Sequence, residues 1–149
     1  MLVTFRAALF ALLAFFVLSA AITPTRADSS IAAIWLTQAG DAKVQISRCG
    51  PGICGKVIWL KNSIDKTTGR PQVDDKNPNP ALKKRPMVGL SLFNGMQPSG
   101  PNKWSGQIYN ADDGGTYQSN ISVTGADTLR VEGCVGMICG GETWTRSGR

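Results

Sequence analysis

The stretch that decides the fold runs from Lys103 to Gly133 and reads KWSGQIYN-ADDGG-TYQSNISVT-GAD-TLRVEG. Its central segment, 116–124, alternates strictly, which is typical of a half-buried β-strand. One face of that segment carries Tyr117, Ser119, Ile121 and Val123. The Gly- and Asp-rich segments on either side have the chemistry of tight turns. The stretch therefore predicts three consecutive antiparallel strands, at about 103–110, 116–124 and 128–133.

The rest of the chain repeats this pattern of short strands and turns. Runs rich in β-branched and aromatic residues are separated by many of the 17 glycines and 8 prolines, and no window has sustained helical spacing. Further strands are predicted at about 31–37, 42–48, 55–61, 87–93 and 141–146. Pairing the last strand with the first removes both exposed edges of such a meander. We therefore predict an all-β, eight-stranded antiparallel up-and-down barrel, able to enclose side chains or one small ligand. A flattened sandwich is the alternative.

The N-terminal segment has the features of a signal peptide. Arg6 precedes the apolar run 7–22, and Thr25-Arg26-Ala27 supplies small residues where signal peptidase cleaves. The run counts 16 residues, fewer than the roughly 20 of a spanning helix, which disfavours an uncleaved membrane anchor. We predict that residues 1–27 are removed, that 28–149 form one domain, and that the protein is periplasmic or secreted. Loss of the two arginines in this segment lowers the net charge from +6 to +4.

Four cysteines lie in two closely similar loops, and we expect all four to be oxidised. The loops are Cys49-Gly50-Pro51-Gly52-Ile53-Cys54 and Cys134-Val135-Gly136-Met137-Ile138-Cys139. An export signal with an even cysteine count argues for disulfides, whereas a four-cysteine zinc site is the alternative. Opposed residues of a hairpin lie close together, which favours the local pairs Cys49–Cys54 and Cys134–Cys139. A crossed pairing stays open if both loops meet at one rim.

One long connection, Asn62–Pro86, separates the third and fourth predicted strands. A connection of this length in a compact domain is usually functional or disordered. Asn79 is placed to cap a short helical turn that begins at Pro80. We predict that this turn lies across one mouth of the barrel as a lid, with Leu82 tucked inward. The basic residues that follow, Lys83, Lys84 and Arg85, form either a solvated lid edge or a contact for a partner or anionic headgroups.

A series of motifs, in a fixed order along the chain, carries a family resemblance. They are CGKVIWL (54–60), DKNP (75–78), RPMVGL (85–90), WSGQIYN (104–110), GTY (115–117), LRVEGC (129–134), CG (139–140) and WTR (144–146). Together they resemble the bacterial family called domain of unknown function 2147. The resemblance implies an exported, often periplasmic, lipocalin-like barrel, and it brings no activity or catalytic residue. One departure is Gly115, because relatives often have lysine at this place in an Asp-Gly-Lys-Thr-Tyr motif.

Catalytic chemistry has few candidates in this sequence. The chain contains no histidine, which removes the commonest general base and the usual zinc ligand. Glu132 and Glu142 fall on predicted outward faces, and the adjacent acids Asp74-Asp75 and Asp112-Asp113 are more typical of turns than of catalysis. We therefore predict no catalytic residue, metal or cofactor, with an enzyme using loop aspartates as the weaker alternative. An exported protein rarely meets nucleic acid, so no nucleic acid partner is predicted.

Aromatic side chains are the best candidates for ligand contact. They are Trp35, Trp59, Trp104, Tyr109, Tyr117 and Trp144. The simpler interpretation is that they fill the barrel and plug its end, since each buries about 150–250 Å². The functional interpretation is a pocket for a hydrophobic or lipid-like molecule. The leading hypothesis is thus a small binding module. The second is a non-catalytic structural or interaction protein of the cell envelope that contacts a protein or an anionic headgroup through Asn62–Pro86. The oligomeric state is not predicted.

Overall fold

The computed structural model describes residues 31–148, so the predicted signal peptide lies outside the described residues. The strands are β1 (Ala33–Leu36), β2 (Ala42–Cys49), β3 (Gly52–Leu60), β4 (Ser91–Gly100), β5 (Lys103–Asn110), β6 (Gly115–Gly125), β7 (Thr128–Val135) and β8 (Ile138–Gly148). Each strand pairs antiparallel with the next, and β8 pairs with β1 to close the barrel. The prediction of an eight-stranded up-and-down barrel is confirmed. Among residues 31–148, no helix has the length and apolar character needed to cross a bilayer.

The fourth strand is displaced from its predicted place at 87–93. It spans Ser91–Gly100, and Asn94-Gly95, which has the composition of a turn, lies inside it. Gly95 has φ +72°, and the pairing of β3 with β4 shifts register at this point. A glycine with positive φ inside a strand pair forms a bulge as readily as a turn. The chain therefore bends here and continues as a strand.

Alternate turns of the meander lie at opposite ends of the barrel. We call the open end the one formed by 37–41, 61–90, 111–114 and 136–137, and the closed end the one formed by 50–51, 101–102 and 126–127. Cys49 is bonded to Cys54 at the closed end, and Cys134 is bonded to Cys139 at the open end. Because the two cysteine loops lie at opposite ends, the crossed pairing is geometrically impossible.

Buried apolar side chains fill the half of the barrel next to the closed end. They are Ile31, Ala33, Trp35, Ile46, Ile53, Phe93, Met96, Trp104, Ile121 and Leu129; Val44, Val131 and Trp144 belong to the same cluster and also face the other half of the interior. The Trp35 indole N–H donates to the carbonyl of Ile31 at 2.9 Å, and the Arg146 guanidinium lies 4.5 Å from the Trp35 ring centroid. Arg146 also pairs with Asp127 at 3.1 Å. This half is therefore a solid core.

Candidate functional site

A cavity of about 760 Å³ occupies the other half of the barrel and reaches the open end. This volume lies within the range of small-molecule sites, about 300–1,000 Å³. Inward-facing apolar side chains from six strands form its walls: Val44, Val57, Leu60, Leu92, Ile108, Val131 and Trp144. Strand alternation explains the wall, because every second residue of each strand points into the barrel. The side chains that line this half leave it unfilled, whereas Trp35 and Trp104 pack in the other half.

The polar lining of the cavity is acidic. Asp41, Asp112, Asp113 and Glu142 line it, and no lysine or arginine is among the lining residues of the described chain. The prediction that Glu142 faces outward is wrong. Glu142 lies two residues before the inward-facing Trp144 on β8, and it accepts a hydrogen bond from the Trp144 indole N–H. The alternation of β8 was sufficient to place this carboxylate inside.

The six aromatic candidates do not form a single pocket. Tyr109, Tyr117 and Trp144 line the cavity, whereas Trp35 and Trp104 belong to the solid core.

Trp59 lies on the outside of the barrel. Its side chain is 40% exposed, and the Lys43 ammonium lies 5.3 Å from its ring centroid. A register shift in the β2–β3 pairing sets Val44 against Val57 and Lys43 against Trp59. This irregularity moves Trp59 to the face opposite Val57, although the two residues lie two positions apart.

A buried carboxylate attaches the long connection to the barrel. The Asp74 side chain is completely buried and accepts hydrogen bonds from the Tyr109 hydroxyl at 2.6 Å and from the Asn77 amide at 2.8 Å. Arg85 binds its second oxygen through Nε at 2.8 Å and Nη2 at 2.7 Å. Burial raises the pKa of Asp74, but these three hydrogen-bonding partners and the charge of Arg85 outweigh it, so the pKa lies below the ordinary value of an aspartate. Asp74 is therefore an ionised structural anchor.

The predicted contact residues of the long connection differ in their surroundings. Arg85 is engaged by Asp74, whereas Lys83 and Lys84 are exposed. The helical turn forms at Pro80–Leu82 with Asn79 as its cap. Leu82 is nevertheless exposed and does not line the cavity, so the prediction of an inward-tucked Leu82 is wrong. Asp74 attaches the connection to the barrel through Tyr109, and the connection contributes Gln72 and Met87, not Leu82, to the cavity lining.

The hydroxyls of the two tyrosines at the cavity, Tyr109 and Tyr117, both donate hydrogen bonds to aspartates. Tyr117 donates to Asp113 at 2.8 Å, and Gly115 leaves the space that the Tyr117 ring occupies, since a Cβ there would lie 2.6 Å from its hydroxyl. Burial, together with the bond to Asp74, raises the pKa of Tyr109. The bond to Asp113 is the main cause that raises the pKa of Tyr117. These hydroxyls therefore stay neutral hydrogen-bond donors. Within residues 31–148, no group of three or more potential metal ligands is brought together.

A side groove adjoins the cavity between β4 and β5. These strands pair only from Gln97 and Ser105 to Gly100 and Lys103, and a groove of about 350 Å³ lies beside the remaining parts of the two strands. Leu92 and Tyr109 line both the groove and the cavity. The groove and the cavity are therefore separated by these two side chains at this position.

Comparison with known proteins identifies the fold and the family. One solved structure is similar to this one, with a TM-score of 0.66 and 21% sequence identity, over 79% of this chain and 83% of that chain. It is described as "Protein HP1028 from the human pathogen Helicobacter pylori belongs to the lipocalin family". At this identity the likeness shows a lipocalin-like barrel. No curated protein matches the sequence. The family model described as "Uncharacterized protein conserved in bacteria (DUF2147)" matches residues 33–146. With most of its length covered by that model, the chain belongs to the DUF2147 family.

Proposed function

We propose that this protein is a non-catalytic binding module that holds one small hydrophobic or lipid-like molecule inside the barrel. The observation that carries the proposal is the cavity of about 760 Å³, with apolar walls, open at one end. Eight-stranded barrels have interiors of the size that holds one small ligand. Residues 28–149 are the proposed working domain, and Trp144, Tyr109 and Tyr117 are its proposed aromatic ligand contacts.

The proposed location is the periplasm or the extracellular medium. Both pairs of cysteines of the described chain are disulfide-bonded, which supports an oxidising compartment. The predicted signal peptide supports the same location. N-terminal sequencing of protein purified from its own host tests this part, and a chain that begins at Asp28 is the expected result.

Ligand binding is tested by native mass spectrometry and by tryptophan fluorescence. Protein purified from its own host should carry a co-purifying small molecule. Titration with dodecanol should change the tryptophan emission in a saturable way, and Trp144→Phe should remove most of that change because Trp144 lines the cavity. Trp59→Phe is the matched control, since Trp59 lies outside the barrel. The absence of both a co-purifying molecule and saturable binding would refute the proposal.

A second candidate is contact with an envelope component at the open end. Val135, Met137 and Ile138 are strongly exposed at the tip of the β7–β8 hairpin, and the exposed Lys83 and Lys84 belong to the same end. Exposed apolar and basic side chains at one end of the barrel suit a membrane surface with anionic headgroups. Co-sedimentation with phosphatidylglycerol vesicles should fall for Met137→Ser/Ile138→Ser and not for the control Trp59→Ser, which removes an exposed apolar side chain from the outer wall of the barrel. Equal sedimentation of all three proteins would remove this candidate.

A further inference from the structure

The charges that line the cavity are opposite in sign to the charge of the protein. The chain has a net charge of +6, yet Asp41, Asp112, Asp113 and Glu142 line the cavity without a single lysine or arginine of the described chain. The acids belong to three different parts of the open half, namely the β1–β2 turn, the β5–β6 turn and β8. All the charged side chains of the lining are therefore acidic, and the basic residues of the described chain lie outside the lining.

These carboxylates are not neutralised by neighbouring side chains. Within residues 31–148, none of the four forms an ion pair; the carboxylates that do are Asp74, Asp75, Asp127 and Glu132. Asp41 accepts a hydrogen bond from the hydroxyl of Thr37 at 2.7 Å. Neutral donors of this kind stabilise a carboxylate but leave its negative charge in place.

Asp113 is one of these carboxylates held by neutral donors. Its carboxylate accepts hydrogen bonds from the Gly115 N–H at 2.7 Å, from the Tyr117 hydroxyl at 2.8 Å and from Asn110 at 3.0 Å. The bond from the Gly115 N–H is the main cause that lowers the pKa of Asp113. Asp113 is therefore ionised at neutral pH, and the three groups that donate hydrogen bonds to it are uncharged.

We infer that the cavity takes a positively charged amphiphile, an apolar tail with an amine or quaternary ammonium headgroup, and discriminates against fatty-acid anions. This inference rests on the proposed binding function. The apolar walls contact the tail, and the headgroup lies at the acidic mouth. The β1–β2 and β5–β6 turns lie four strands apart in the eight-stranded barrel, so Asp41 and Asp112 flank the mouth from opposite sides. Glu142 lies against Trp144, beneath them. A carboxylate headgroup at this position is repelled by each of these charges.

The experiment compares three probes with the same tail: dodecyltrimethylammonium, dodecanol and dodecanoate, each below its micelle concentration, with the disulfide-bonded chain at pH 7. At low salt the ammonium should bind about tenfold more tightly than the carboxylate, with the alcohol between them. Added salt should reduce this ratio, because the mouth is open to solvent and its charges are screened.

Charge-neutralising variants locate the effect. Asp41→Asn/Asp112→Asn should lower the ammonium-to-carboxylate ratio several-fold while dodecanol binding stays unchanged, and Glu142→Gln should act in the same direction. Asp65→Asn/Asp75→Asn is the matched control, since it removes the same number of charges from residues that do not line the cavity.

The outcomes separate this inference from the proposed function. Dodecanoate binding as tightly as the ammonium, or a ratio equally changed by the control variant, overturns the inference and leaves the binding module standing. Failure of all three probes to bind overturns the proposed function itself.

Discussion

Removal of the Asp74 carboxylate should destabilise the protein strongly, because Asp74→Ala leaves three polar partners without their acceptor. They are the Tyr109 hydroxyl, the Asn77 amide and the Arg85 guanidinium. Breaking a buried ion pair by removing one partner costs about 3–5 kcal/mol. The Arg85 side chain is 36% exposed and regains water, so the lower end of this range applies. We expect a loss of about 3 kcal/mol, or about 12 °C in Tm for a domain of this size.

The assay is urea unfolding followed by tryptophan fluorescence, with calorimetry for Tm. Asp75→Ala is the matched control, because the Asp75 side chain is 68% exposed and lies 3.8 Å from the ammonium of Lys76, whose side chain is also exposed. Its expected cost is below about 0.5 kcal/mol. A loss of less than about 1 kcal/mol for Asp74→Ala, or equal losses for the two variants, would refute the conclusion that Asp74 anchors the long connection.

Three further predictions concern pH, backbone conformation and the core. Because the pKa of Asp74 is lowered on folding, the stabilisation by its carboxylate is present above about pH 4 and is lost as pH falls through the folded-state pKa. The free energy of urea unfolding should therefore differ less between pH 6 and pH 3 for Asp74→Asn than for the wild type. Gly114 and Gly136 have φ +77° and +59°, but only at Gly114 would a Cβ meet a backbone oxygen, at 2.0 Å. Gly136→Ala should cost about 1 kcal/mol and Gly114→Ala at least about 1 kcal/mol more, measured by urea unfolding; equal costs would contradict the close approach. Trp35→Ala should cost about 3–5 kcal/mol and the exposed Trp59→Ala less than about 1 kcal/mol in the same assay, and a reversed order would contradict their assigned positions.

Local signals in the sequence were sufficient for the architecture. Period-two alternation and turn residues are properties of neighbouring positions, so the number and order of the strands and the adjacent cysteine pairs could be predicted, whereas the bulge at Gly95 displaced the fourth strand from its predicted place. The alternation of 116–124 placed Ser119 and Ile121 inside the barrel, where both are buried. The order of the strands then required only that a meander close on itself.

The site depended on contacts that no local pattern contains. The bulges in β3 and β4 change which residues face inward, and a single extra residue is enough to move Trp59 outside. The burial of Asp74 depends on Tyr109, which lies 35 positions away in the sequence. No local pattern contains this contact, and the acidic pair Asp74-Asp75 by itself indicated a solvated turn. The cavity exists because the side chains that six strands contribute at one end leave space between them, whereas Trp35 and Trp104 pack at the other end. Strand pairing alone allows either a filled or a hollow barrel, and only the packing of side chains across the interior decides between them.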